Sequence, residues 1–251
     1  MMRYGLLTVI FSLCAVIPVM ALASPDPGSQ SWHFEVSKGI ALELADSPSW
    51  SLAAVYLRDI GRASQDWNLL LLQAKVELQQ GNLDDAKQAI DRALVMYPKN
   101  PRILAMAGNI AADMGDLDLA ENEYLQVLKL QPHNTSVLMA MARIYYARQD
   151  WKNVVATYES LNRLLEPTSE VLVRMATACE KLGDIPRAED YLKRNLEVHT
   201  NRIMALLAME RFYQRIGEKE KALEVSRERS RLQQKTDGDS RNLRALPSSS
   251  R

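Results

Sequence analysis

Apolar residues recur along most of this chain at the three- and four-residue spacing of one helical face, and the pattern stops and restarts at a fixed interval. From Gly81 to Pro98 the sequence runs Gly-Asn-Leu-Asp-Asp-Ala, then Ile90, Ala93 and Leu94 on one face, then Tyr97-Pro98. Shifted by 34 residues, it returns as Gly-Asp-Leu-Asp-Leu-Ala (115–120), followed by Tyr124, Val127, Leu128 and Pro132. Weaker copies restart at Gln149, Gly183 and Gly217. A fixed internal period decides a fold before any single residue does. Aligned on it, five repeats occupy 67–100, 101–134, 135–168, 169–202 and 203–236, each predicting two helices and a turn.

The columns have readable physics. The fifteenth positions are Gly81, Gly115, Gln149, Gly183 and Gly217, where a left-handed backbone can end one helix and turn into the next. Asn82, Asp116, Asp150, Asp184 and Glu218 follow, placed to satisfy free amides of the second helix and oppose its dipole. Small residues at the eighth position (Ala74, Gly108, Ala142, Ala176, then Glu210) and the twentieth (Ala86, Ala120, Val154, Ala188, Ala222) let helices cross closely. Position 27 drifts from Ala93, Val127 and Leu161 to Asn195 and Arg229, as expected where a terminal repeat turns polar. The last helix, from Glu218, keeps Ala222, Leu223, Val225 and Leu232 as its inner residues and reads as a solvating cap. Upstream, Trp32, Val36, Ile40 and Leu44 predict one helix and Leu52, Tyr56 and Ile60 another. In the repeat register, 32–66 is a degenerate first repeat lacking the turn glycine and the small alanine.

This spacing resembles the tetratricopeptide repeat, in which small residues at positions 8, 20 and 27 and a proline at 32 punctuate paired helices. The resemblance implies an all-α, right-handed superhelical solenoid of about six helix-turn-helix repeats. It also implies a groove lined by positions 2, 5, 9 and 12 of each first helix. Those positions are Asn68, Leu71, Lys75 and Leu78; Arg102, Ala105, Asn109 and Ala112; and Ser136, Met139, Arg143 and Tyr146. In the last two repeats they are Glu170, Val173, Thr177 and Glu180, then Met204, Leu207, Arg211 and Gln214. Lys75, Asn109 and Arg143 share the ninth position and are expected to stack along the groove. Leu71 and Ala105 stand where the family's carboxylate clamp would want polar residues.

The ends of the chain are of other kinds. Residues 1–23 hold Arg3, an apolar run from Gly5 to Met20, and Ala21-Leu22-Ala23. This reads as a secretory signal cleaved before Ser24, with an uncleaved membrane anchor as the alternative. Cys14 lacks the lipobox context, having Phe11 and Leu13 where Leu and a small residue belong. Residues 24–31 form a flexible leader rich in Pro, Gly and Ser, and 237–251 a polar stretch expected to be a disordered tail. Lys+Arg and Asp+Glu are 31 each, so bulk charge courts no polyanion, and nucleic acid is not an expected partner.

Candidate chemistry is sparse. His33, His133 and His199 have no second ligand at metal-binding spacing. Once a signal is removed, Cys179 is the one remaining cysteine, in an apolar column with Tyr145 and Tyr213 that predicts an inert buried thiol. No phosphate loop or nucleophile elbow is present. The expectation is a non-enzymatic, exported (periplasmic or extracellular) interaction scaffold with no cofactor, metal or catalytic residue. It would bind a segment of another protein in assembly of an envelope, pilus or secretion machine. Membrane contact is expected only through an uncleaved signal segment. The alternatives are a holdase-like assembly chaperone and a regulatory subunit of an envelope enzyme.

Overall fold

The turn between paired helices repeats almost atom for atom. Gly81, Gly115, Gly183 and Gly217 take φ of 78°, 84°, 80° and 83°, and Gln149 is forced into the same region at 59°. Each time, the next residue's amide reaches back to the carbonyl five before it: Asn82 to Glu77 and Asp116 to Ala111 at 2.9 Å, Asp150 to Tyr145 and Asp184 to Cys179 at 2.9 Å, Glu218 to Tyr213 at 3.0 Å. This bond consumes a carbonyl that the helix end would otherwise leave unpaired.

A computed structural model describes residues 37–39, 50–63, 65–198 and 201–244. Among these the architecture is all-α, in consecutive helix pairs. The helices are α1 (Trp50–Ala63), α2 (Trp67–Gln79), α3 (Leu83–Met96), α4 (Pro101–Asp113), α5 (Leu117–Leu130) and α6 (Thr135–Ala147). They continue as α7 (Trp151–Asn162), α8 (Ser169–Lys181), α9 (Ile185–Val198), α10 (Arg202–Ile216) and α11 (Lys219–Arg244). Asp66, Asn100, Thr168 and Asn201 cap the first helices of their pairs; Asp116 and Asp150 cap second helices. The expected signal segment and the leader lie outside the described residues.

The chain divides into two units, one ending at Val137 and one beginning at Leu138. In the first, α1 packs on α2, α2 on α3, α3 on α4 and α4 on α5, and α2 also touches α4. Its core gathers Leu70, Ala74, Ala86, Ile90, Ala93, Ile103 and Ile110, each 2% exposed or less. Ala74 and Ala86, at positions 8 and 20, are fully buried there, as close crossing requires. Gly108 is needed for a specific neighbour: a Cβ there would lie 2.5 Å from Cε1 of Tyr124. In the second unit α7, α8, α9, α10 and α11 pack in succession around Leu172, Met175, Ala188, Leu206 and Phe212.

Several expectations are corrected. Among the described side chains of α1, Ala53, Ala54 and Leu57 are buried, whereas Leu52 is 49% exposed; the expected Ile60 lies outside the described side chains. The register slips by one because a three-residue connection, 64–66, precedes α2, where four residues, 97–100, precede α4. Ala53 thereby takes the place of Ala86 and Leu57 that of Ile90, so the small alanine is present after all. Asn82 makes no capping bond; its amide donates to Glu77 Oε2 at 2.8 Å. Asn195 is fully buried, with neither side-chain amide atom hydrogen-bonded. It is therefore not a polar outer residue. Leu223 points to solvent at 52% exposure, leaving Ala222 as the buried contact of α11. That helix also runs on to Arg244, past the expected boundary at 236.

Candidate functional site

Between α2 and α4, the first helices of two successive pairs, lies a cavity of about 650 Å³. It gathers Asn68, Leu71, Lys75, Arg102, Ala105 and Asn109 from the expected set, and adds Asp66, Leu69, Leu72 and Met106. Local rules place these groups. The Asp66 carboxylate accepts the Asn68 amide at 2.9 Å and starts α2; Asn100 accepts the Arg102 amide at 3.0 Å and starts α4. The Arg102 guanidinium lies 5.3 Å from the Trp67 ring centre. Such stacking holds a long side chain in place and keeps its donors available. Asn109 accepts the buried Tyr124 hydroxyl at 2.7 Å, so its position is fixed from beneath. Leu78 is not part of this lining; it packs against the core.

The second unit has its own set. Arg143 is exposed, and Met139 and Tyr146 are half-buried. Tyr146 meets Trp151 edge-on at 5.3 Å and carries the Arg174 guanidinium 4.9 Å above its ring. Arg174 is tied back to Glu170 at 2.9 Å. A smaller cavity of about 170 Å³ brings together Val173, Thr177, Glu180 and Arg211 with Arg215 and Leu192. Arg215 grips Glu180 through two bonds, at 2.8 and 2.7 Å. Gln214 leans on Glu210, Met204 is 52% exposed and Leu207 is half-buried. Ser136 is exposed at the start of α6 and belongs to the first unit. Ala112 is half-buried outside both cavities.

The sequence reading missed Leu72, Met106, Arg174 and Arg215. They occupy repeat positions 6 and 13, one turn from positions 2 and 9, so the helical spacing itself held the signal. It also missed two compensated charges. Glu77, fully buried in the Cys179 column, receives Arg58 at 2.6 and 2.8 Å. Glu210, at a small-residue position, receives Arg229 at 2.8 Å, so the two odd residues of the last repeat answer each other. The Arg229 bond holds the Glu210 carboxyl below its ordinary range despite burial. Burial, with help from Asp184, pushes the Cys179 thiol up to about 11, which leaves it unreactive. Among the described residues no cluster of His, Cys, Asp and Glu could hold a metal, and no helix is long and apolar enough to cross a membrane.

The tetratricopeptide-repeat family profile matches residues 50–101, 71–128 and 105–161. These are tetratricopeptide repeats. A tetratricopeptide repeat protein from Parabacteroides merdae superposes with a TM-score of 0.65 at 17% identity, covering 77% of each chain. MamA superposes with a TM-score of 0.62 at 14% identity, over 67% of this chain and 92% of that one. A stretch of 126 residues is 29% identical to the human protein O-mannosyl-transferase TMTC1, covering 49% of this chain and 14% of that protein. The chain thus spans about a seventh of that relative's length. The tetratricopeptide fold is a protein-interaction scaffold, typically without catalysis of its own.

Proposed function

We propose that this protein is a non-enzymatic, exported scaffold that holds a segment of another protein against its first-helix faces, in assembly of an envelope, pilus or secretion machine. The observation that carries the binding reading is the cavity between α2 and α4. There Lys75 and Arg102 stand beside Leu71, Ala105 and Met106, a surface suited to acidic residues set between apolar anchors. Export rests on the amino-terminal pattern of Arg3, an apolar run and Ala-Leu-Ala.

A photo-crosslinking residue at Ala105, activated in intact cells, tests the groove. One discrete adduct is expected, lost when Arg102→Glu is added and weakened by salt, because exposed charge pairs are screened. No adduct at Ala105, together with one from Val95 at the far side of α3, would overturn it. Amino-terminal sequencing of the mature protein tests export: Ser24 as first residue supports it, and Met1 in a soluble cytoplasmic fraction sinks it.

A further inference from the structure

A second concavity, of about 330 Å³, lies between α3, α4 and α5, apart from the groove described above. Its apolar part includes Ile90, Leu94, Ala107 and Ile110, with Met114 and Leu119 exposed at 42% and 39%. Three acids and one base line it. Asp116 is spent on capping α5, and Asp91 holds Lys87 at 2.6 Å. Glu123 is half-buried and has a 3.4 Å contact from Gln126.

The chain shows what suits such a place. Two repeats on, the same positions read Glu159 for Asp91, Arg187 for Leu119, Tyr191 for Glu123, Tyr158 for Ile90 and Met175 for Ala107. There Arg187 pairs with Glu159 and lies 5.9 Å from the Tyr191 ring centre. At that repeat the chain supplies its own arginine and larger side chains; at the first it supplies an acid and an opening.

We propose that the crevice between α3, α4 and α5 receives an arginine of a partner protein, presented beside an apolar residue. A planar guanidinium is weakly hydrated and forked. It can slide between apolar walls and still bond Glu123 and the free side of Asp91, which a compact ammonium does less well. Burial, then Asp91, holds the Glu123 carboxyl above its ordinary range, so an arriving cation would relieve both. The apolar neighbour of that arginine covers Met114 and Leu119.

The test uses the full chain with labelled methionine and leucine methyls and three capped tripeptides: Leu-Arg-Leu, Leu-citrulline-Leu and Leu-Glu-Leu. The arginine peptide should shift the Met114 and Leu119 methyls saturably, with a millimolar Kd, about the level expected of so small a ligand. Citrulline and glutamate peptides should bind at least about tenfold more weakly, since they lack the charge or reverse it. Glu123→Gln should lower affinity by about tenfold with unchanged helicity. Leu119→Arg, which copies Arg187, should abolish peptide binding without loss of Tm. Met106, in the other groove, should not shift, so failure here is separable from failure of the groove reading. Equal binding of the arginine and citrulline peptides, or full affinity in Glu123→Gln, overturns the proposal. So does a concentration-dependent dimer in sedimentation that Leu119→Arg disperses, since the occupant would then be a second copy.

Discussion

Replacing Arg58 with Met should cost the first unit far more than a surface arginine normally would. Glu77 is fully buried; its carboxylate takes bonds of 2.6 and 2.8 Å from Arg58 and one of 2.8 Å from Asn82. Removing one member of a buried pair typically costs about 3–5 kcal/mol. Two features reduce that here. The Arg58 side chain is 40% exposed, so water can approach from its side, and Asn82 remains as a donor. The expected loss is therefore about 2–3 kcal/mol, or roughly 4–12 °C in Tm for a chain of this size. Thermal melts followed by circular dichroism read it at pH 7. Arg58→Met with Glu77→Leu should recover most of the loss, because the buried charge leaves with its partner. A single variant within about 0.5 kcal/mol of wild type, the scale of an exposed pair, would refute the reasoning.

Three further outcomes follow from packing and charge. Gly108→Ala should destabilise by about 1–2 kcal/mol despite better helix propensity, because its Cβ would press on the Tyr124 ring, and adding Tyr124→Leu should relieve it; a rise in Tm for the single change would contradict this. Gln149→Gly should raise stability by about 0.5 kcal/mol, the left-handed strain relieved outweighing the added chain entropy, as urea melts would show. Since Arg229 depresses the Glu210 carboxyl, the stability it lends is present above the ordinary carboxylate pKa of about 4.3 and is lost as pH falls through the lower folded value. Acid titration of Arg229→Met should show a shallower loss over that window.

The period made the helix pairs legible because the turn residue and the small crossings repeat in sequence with no help from distant contacts. Six groove positions came together between α2 and α4 for the same reason. What was illegible arose where one residue answers another across the fold. Glu77 in an apolar column and Glu210 at a small-residue position look like lapses until Arg58 and Arg229 are seen against them. The register of α1 was missed because one residue fewer in the connection after it shifts the helix by one place against the 34-residue period, about 100° around its axis, turning Leu52 out and Ala53 in. The crevice at Glu123 was invisible since its meaning comes from comparing what two repeats put in the same place.

The Arg58–Glu77 pair limits how this chain could have been lengthened or rearranged by copying. The segments 67–100 and 101–134 end on the same turn, with Asn100 bonded back to Tyr97 and Asn134 to Gln131 at 3.1 Å, so at that join a duplicate could be spliced in without disturbing its neighbours' backbone. The segment 67–100 is different, because its Glu77 is neutralised from the helix before it. Inserted elsewhere, it would carry a buried acid without its arginine. That repeat is keyed to one address in the array.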